Sequence, residues 1–245
     1  QKYDYRTDSF TLVEFTKGSN CHSLQFDRQG NLWMLLSGYS LIKYNESQAL
    51  HQNYLYKGSD PITSFYITEQ DQIWATTSNG HIVYFDYTKN EFTALEIRNP
   101  DKHRPLDDMT TIWASPAENL LLVGTNDGIK RIDIAAGTCR DILPRQKKSP
   151  LYTRDILQMT PDKVWIGTYK GIYIYDLRRD TIVHIRQNKS DPYSLSSHAV
   201  KQFYKDQEGG IWICTDNGGI NYCPPYSAIK RHYAVPGENT IRGDL

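Results

Sequence analysis

The sequence predicts an all-β fold, a β-propeller of four-stranded blades, and three observations carry that expectation. An anchor residue recurs: Trp33, Trp74, Leu122, Trp165 and Trp212, spaced 41, 48, 43 and 47 residues apart. Six residues after four of these anchors stands a glycine (Gly80, Gly128, Gly171 and Gly218), where a tight hairpin demands a positive φ; the first copy has Gly38 one place earlier. The anchor runs "VWI", "IWI" and "LLLV" are apolar at consecutive positions, so both faces of that strand are buried, as in a blade packed between two neighbours. Repeats of about 40–50 residues with four short strands each point to a propeller rather than a sandwich.

The elements follow in order. "YDYRTDSFTLV" at the start matches "YDLRRDTIVHI" further on, setting Tyr3, Asp4 and Asp8 on Tyr175, Asp176 and Asp180. Residues 1–16 are therefore expected to finish a preceding blade. Five complete blades follow at 20–58, 61–97, 108–144, 153–187 and 198–235. Each reads as a first strand, a turn, the anchor strand, the Gly turn and two further strands. The first strands carry an apolar residue at Cys21, Ile62, Met109, Ile156 and Val200. Ile156 stands only nine residues before its anchor, against twelve or thirteen elsewhere, in keeping with a shorter turn at "TPDK". The fourth strands are "QNYLY", "EFTAL", "TCRDI", "TIVHI" and "IKRHY". "TIRGDL" aligns with "SLSSHA", so 239–245 is expected to begin a further blade and the chain to be part of a longer propeller protein.

Charge excludes some partners. The 28 Lys and Arg balance 28 Asp and Glu, which leaves no electrostatic footprint for nucleic acid or an anionic membrane. The basic run "PRQKKSP" reads as a solvated loop. No apolar run approaches the roughly 20 residues of a membrane span, and "QKYDYRTDSF" is too polar for a signal peptide. Among the four cysteines no CxxC spacing occurs, so no zinc site is expected; nor is a cofactor. A turn centred near Asn217-Gly218 would set Cys214 opposite about position 221, out of register with Cys223.

The repeat with "LWIGT"-like anchors, a turn Gly and "YD", preceded by "Y-x-D-x-x-G" as in "YKDQEGGIWICTDNGGINY", resembles the two-component-regulator propeller repeat. The last copy, with "SLSSHAV" before it, matches best; the third departs, with Leu122 for Trp. The resemblance implies the periplasmic sensor region of a Bacteroidetes hybrid two-component histidine kinase, the soluble part of an inner-membrane protein. It further implies a companion propeller, downstream kinase, receiver and DNA-binding modules, and an oligosaccharide ligand. Association with a second copy of the chain is a further expectation.

Catalytic signatures are weak. No GxSxG, HExxH, GxxxxGK[ST] or GxGxxG occurs, and "LDDM" at 106–109 reads as a solvated loop or strand cap. The expectation is a binding fragment rather than an enzyme, with a polysaccharide lyase or glycosidase propeller and a protein-interaction scaffold as the alternatives. Two places could hold a ligand. One is the start of the first strands, where Asp60, Asp107, Arg154 and His198 are read as equivalent. The other is the turn after each anchor strand, which brings Tyr169, Lys170, Asp216 and Asn217. Tyr offers a flat face to a sugar ring, and Asn, Asp, Lys and Arg can bond its hydroxyls or an acidic group.

Overall fold

In the computed structural model the described residues are 1–37, 40–56, 60–97, 106, 109–115, 118–143 and 150–225, with the backbone alone of 231–232. Gly38, Asp107, Asp108, most of the basic run and 239–245 lie outside them. The chain divides into two compact units, 1–96 and 97–245.

The first unit opens with a hairpin of β1 (Lys2–Asp4) and β2 (Ser9–Thr11). Blade one follows: β3 (Cys21–Phe26), β4 (Leu32–Leu36), β5 (Leu41–Asn45) and β6 (Leu50–Tyr54). Blade two is β7 (Ile62–Ile67), β8 (Ile73–Thr77), β9 (Ile82–Asp86) and β10 (Glu91–Ala94). The second unit holds three blades. Blade three is β11 (Met109–Ser115), β12 (Leu120–Thr125), β13 (Gly128–Asp133) and β14 (Thr138–Asp141). Blade four is β15 (Thr153–Thr160), β16 (Lys163–Thr168), β17 (Gly171–Asp176) and β18 (Thr181–Ile185). Blade five is β19 (Val200–Lys205), β20 (Ile211–Thr215), β21 (Gly219–Cys223) and β22 (Arg231–His232). Every sheet is antiparallel and in chain order, so the architecture is all-β and the blades are those of a β-propeller.

The opening hairpin repeats the third-to-fourth-strand turn of a blade. Asp4 pairs with Ser9 as Asp176 pairs with Thr181. In both, the Asp carboxylate accepts the N–H two residues on, from Arg6 at 2.8 Å and from Arg178 at 3.1 Å. In both, a left-handed residue closes the turn, Asp8 at φ 48° and Asp180 at φ 54°. Tyr3 bonds Asp8 as Tyr175 bonds Asp180. Blades one to three cap the same turn from Asn45, Asp86 and Asp133, whose side-chain oxygens accept the N–H of Gln48, Thr88 and Ala136. A short polar side chain that caps its own turn needs no tertiary contact.

The anchors pack as their apolar runs predict in four blades. Trp33 is fully buried, stacked on Tyr54 with ring centres 5.3 Å apart and edge-on to Phe85. Trp74, Leu122 and Trp165 are also buried. Trp212 is not: it is 37% exposed. Strand β20 alternates instead. Ile211 and Ile213 face a core with Trp165, Val200 and Phe203, while Trp212 lies on the opposite face against Tyr222. Blade three compensates for its missing anchor tryptophan from the preceding strand, since Trp113 of β11 pairs directly with Leu122 and is 1% exposed.

Three register expectations are corrected. The residue of blade four equivalent to Ile62 and Val200 is Thr153, twelve residues before Trp165, and not Ile156, so the blade keeps the common spacing. Thr153 escapes an apolar pattern because its buried hydroxyl donates to the Gly128 carbonyl at 2.8 Å. Cys214 faces Ile220 rather than 221, because Thr215 pairs with Gly219; all four cysteines are free thiols. Gly218 does not supply the positive φ of its turn, which falls on Asn217 and Gly219. Its place is steric, since a Cβ there would sit 2.7 Å from the Ser197 Cβ and 2.8 Å from the Ser196 Oγ. Gly80, Gly128 and Gly171 do have positive φ.

The turns before the anchors do more than reverse the chain. Asp27 accepts the backbone N–H of Asn31 at 2.8 Å and the indole N–H of Trp33 at 3.0 Å. Asp206 accepts from Gly210 at 2.7 Å and from Trp212 at 3.1 Å. Turn geometry alone does not account for "DRQG" and "DQEGG": the same carboxylate orients the anchor six residues later.

Candidate functional site

Each first strand carries a β-bulge at the same place. The pairing with the anchor strand slips between Cys21 and Ser23, Ile62 and Ser64, Met109 and Thr111, Thr153 and Asp155, and Val200 and Gln202. The extra residue is His22, Thr63, Thr110, Arg154 or Lys201. A bulge leaves one residue out of the ladder and re-aims its side chain. Composition carries no signal for this position; the repeated polar residue one place after the first pair is the only trace of it.

The bulge residue meets the turn residue four after the anchor in blades one, four and five. His22 Nε2 lies 3.4 Å from Ser37 Oγ. Arg154 Nη2 donates to the Tyr169 hydroxyl at 2.9 Å. Lys201 Nζ lies 2.8 Å from Asp216 Oδ1. In blades two and three the bulge threonines turn elsewhere, Thr63 to Thr76 at 2.9 Å and Thr110 to the Thr153 carbonyl at 2.5 Å.

The structure therefore brings Arg154 and Tyr169 together, and Asp216 beside a residue the sequence reading missed, Lys201. Tyr152, also missed, completes an aromatic pair with Tyr169, ring centres 5.1 Å apart and nearly perpendicular. The Arg154 guanidinium lies 4.7 Å from the Tyr169 ring centre and 5.9 Å from that of Tyr152. The Asp216 carboxylate beside Lys201 holds that ammonium's pKa above its usual value, and the Arg154 charge opposes it.

Arg154 and His198 are not equivalent. Counted from the paired strands, Arg154 matches Lys201, and His198 matches Leu151 and Asp60. His198 is exposed, and its carbonyl accepts the Val200 N–H at 3.1 Å. Asp60 is buried and capped by its own turn: His81 Nδ1 lies 2.8 Å away, and Ser78 Oγ and Asn79 N donate to it. Burial pushes its carboxyl up, but those bonds and one from Thr77 outweigh it and hold the pKa below the usual value. Asn217 sits exposed at the turn apex with φ 60°. Lys170 is tied through its backbone: its N–H donates to Thr168 Oγ1 at 3.0 Å, and its carbonyl accepts from His184 Nε2 at 2.7 Å. Arg186 donates to the other ring nitrogen, so His184 is neutral, and burial keeps its pKa low.

The backbone under Arg154 is pinned on both sides. The Thr153 carbonyl and hydroxyl both reach blade three, to Thr110 and Gly128. The Asp155 carboxylate accepts the Phe203 N–H of blade five at 2.7 Å and the Ile156 N–H at 2.8 Å. Burial outweighs those bonds and pushes the Asp155 pKa up to about 6.

Residues 194–217 match the family model of the two component regulator propeller. They span the first two strands of blade five with His198, Lys201, Asp216 and Asn217. No curated protein matches the chain. Among solved structures, the extracellular domain of the hybrid two component system BT4673 from B. thetaiotaomicron superposes with a TM-score of 0.73 at 17% identity, over 95% of this chain and 30% of that one. The extracellular domain of the hybrid two component system BT3049 from the same organism gives 0.59 at 23% identity, over 82% and 28%. The β-propeller domain of Cps50 (Swd1) from Myceliophteria thermophila gives 0.59 at 13% identity, over 84% and 67%. This chain thus spans about 30% of the two Bacteroides domains, and the likeness to all three is one of fold. No helix among the described residues is long and apolar enough to cross a membrane. The chain is a β-propeller similar in fold to those extracellular domains, and its residues 194–217 match the two component regulator propeller.

Proposed function

We propose that this chain is the ligand-sensing propeller of an extracytoplasmic sensor in a hybrid two-component system, that its ligand is an oligosaccharide, and that binding is relayed to transcription. The repeat at 194–217 and the fold shared with the Bacteroides extracellular domains support the sensor reading. In this reading the chain works in the periplasm beside a companion propeller, with kinase modules further along the parent chain.

The observation that carries the ligand class is the pair of tyrosines with Arg154. Tyr152 and Tyr169 pack edge to face, and the guanidinium beside them adds fixed donors. Flat apolar faces flanked by directional donors and acceptors suit a sugar, which is apolar on its C–H face and polar at its rim. His198, Lys170 and Asn217 would form the polar surround. Calorimetric titration of the full chain with candidate oligosaccharides tests this. Tyr169→Ala and Arg154→Ala should each weaken a confirmed ligand by roughly 10²-fold. Unchanged binding in both variants overturns the site.

A further inference from the structure

We infer that the site on blades four and five receives an anionic group of its ligand, a carboxylate or a sulfate ester on a sugar ring, between Arg154 and Lys201, and that Asp216 holds that group's place until the ligand arrives. This rests on the saccharide reading above and adds the charge class to it.

Two cations project from the same bulge position of neighbouring first strands, β15 and β19, which lie side by side. Among the described residues one carboxylate answers them. Asp216 bonds Lys201, while the polar partner of Arg154 is the neutral Tyr169 hydroxyl. Asp155, next to Arg154, has both oxygens committed to backbone N–H groups. Both cations remain solvent-accessible: Arg154 is exposed, and the Lys201 side chain is 63% exposed.

Guanidinium geometry is matched to two-oxygen anions, and the amino group of Lys201 can take a third bond. The Asp216 carboxylate already supplies Lys201 with the oxygen that such an anion would bring. An exposed Lys–Asp pair is weak and screened by salt, so a second anion held also by Arg154 can displace it. The Tyr169 hydroxyl loses the N–H of Arg154 that it accepts at the same moment.

A neutral-sugar site makes the opposite use of Asp216, as an acceptor for ring hydroxyls, and this separates the two. The experiment is a nuclear magnetic resonance titration of the full chain with methyl glucuronide, glucose 6-sulfate and methyl glucoside. The charged sugars should bind about tenfold or more tighter than the glucoside, with the preference falling as salt rises from about 50 to 500 mM. Asp216→Asn should tighten the charged sugars by about 3–10-fold, and Arg154→Gln should weaken the charged sugars by at least about tenfold more than it weakens the glucoside. The stronger of the two charged sugars assigns carboxylate or sulfate. Equal binding of all three sugars, with Asp216→Asn weakening each, overturns the charge class and leaves the saccharide site standing. Binding of none of the three overturns both.

Discussion

Trp33 and Trp212 hold the same place in their blades, six residues after an aspartate that accepts their indole N–H, at 3.0 and 3.1 Å. Trp33 is wholly buried; Trp212 is 37% exposed. The orienting bond is local, made within one turn and the strand that follows. The burial is not. Trp33 is covered by Tyr54 of its own blade and Phe85 of blade two, whereas Trp212 meets Tyr222 of its own sheet. A repeat motif thus sets where an anchor points, and the adjoining blade sets what the anchor contributes.

Several measurements would break or sharpen that contrast. The largest effect is expected from truncation. Trp33→Ala should cost about 3–5 kcal/mol in a denaturant titration and Trp212→Ala about 1 kcal/mol or less; equal losses would show that neighbour packing is not the difference. The acceptors should divide the same way. Asp27 is buried and holds Asn31 as well as Trp33, so Asp27→Ala should cost about 2–3 kcal/mol and Asp206→Ala about 1 kcal/mol.

The pH dependence of two carboxyls runs in opposite senses. Burial pushes the Asp27 pKa up, but bonds from Trp33 and Asn31 and the Lys43 charge outweigh it and hold it below 3.8. Its contribution is complete above pH 4 and is lost as pH falls through the lowered folded value. Asp155 stands near 6. The unfolded chain ionises that group first, so the native state loses stability as pH rises from about 4 to 6, on the order of 2 kcal/mol. Stability measured across that range should flatten in Asp155→Asn; an unchanged slope would refute the assignment.

Two smaller effects test whether turn chemistry is portable. Blade two has Thr68 where blade one has Asp27. The Thr68 hydroxyl accepts the Gln72 N–H, and the buried indole N–H of Trp74 has no hydrogen-bond partner among the described residues. Thr68→Asp should supply one and stabilise by about 1 kcal/mol. Ala49 closes its hairpin at φ 51°, where Asp8, Asn90, Gly137 and Asp180 close theirs. Ala49→Gly should relieve that strain, a gain of up to about 1 kcal/mol. A loss in thermal denaturation would show that backbone freedom in the unfolded chain outweighs it.

The legible parts of this fold are those fixed within about six residues. Anchor, turn glycine and Asp-capped hairpin recur at constant spacing, and the opening "YDYRTD" reads correctly against "YDLRRD" because both turns are self-contained. The bulges are a different matter. They are a pattern of backbone bonds with no residue type of their own, and the polar Thr153 hid the residue equivalent to Ile62 and Val200, which moved Arg154 three places out of register. Lys201 and Tyr152 were missed for the same reason. Trp113 was missed because the bulk absent at Leu122 returns on the paired strand, a compensation visible only across the sheet.

The two ties flanking Arg154 have a mechanical consequence. Thr153 is fastened to blade three through its carbonyl and hydroxyl, and Asp155 to blade five through the Phe203 N–H. A load on the guanidinium between them cannot be absorbed by a loop flexing alone, because the residue before it and the residue after it belong to different seams. Any displacement of Arg154 is shared at once by three first strands. That spot is stiff in the way a keystone is stiff: moving it requires its neighbours to move.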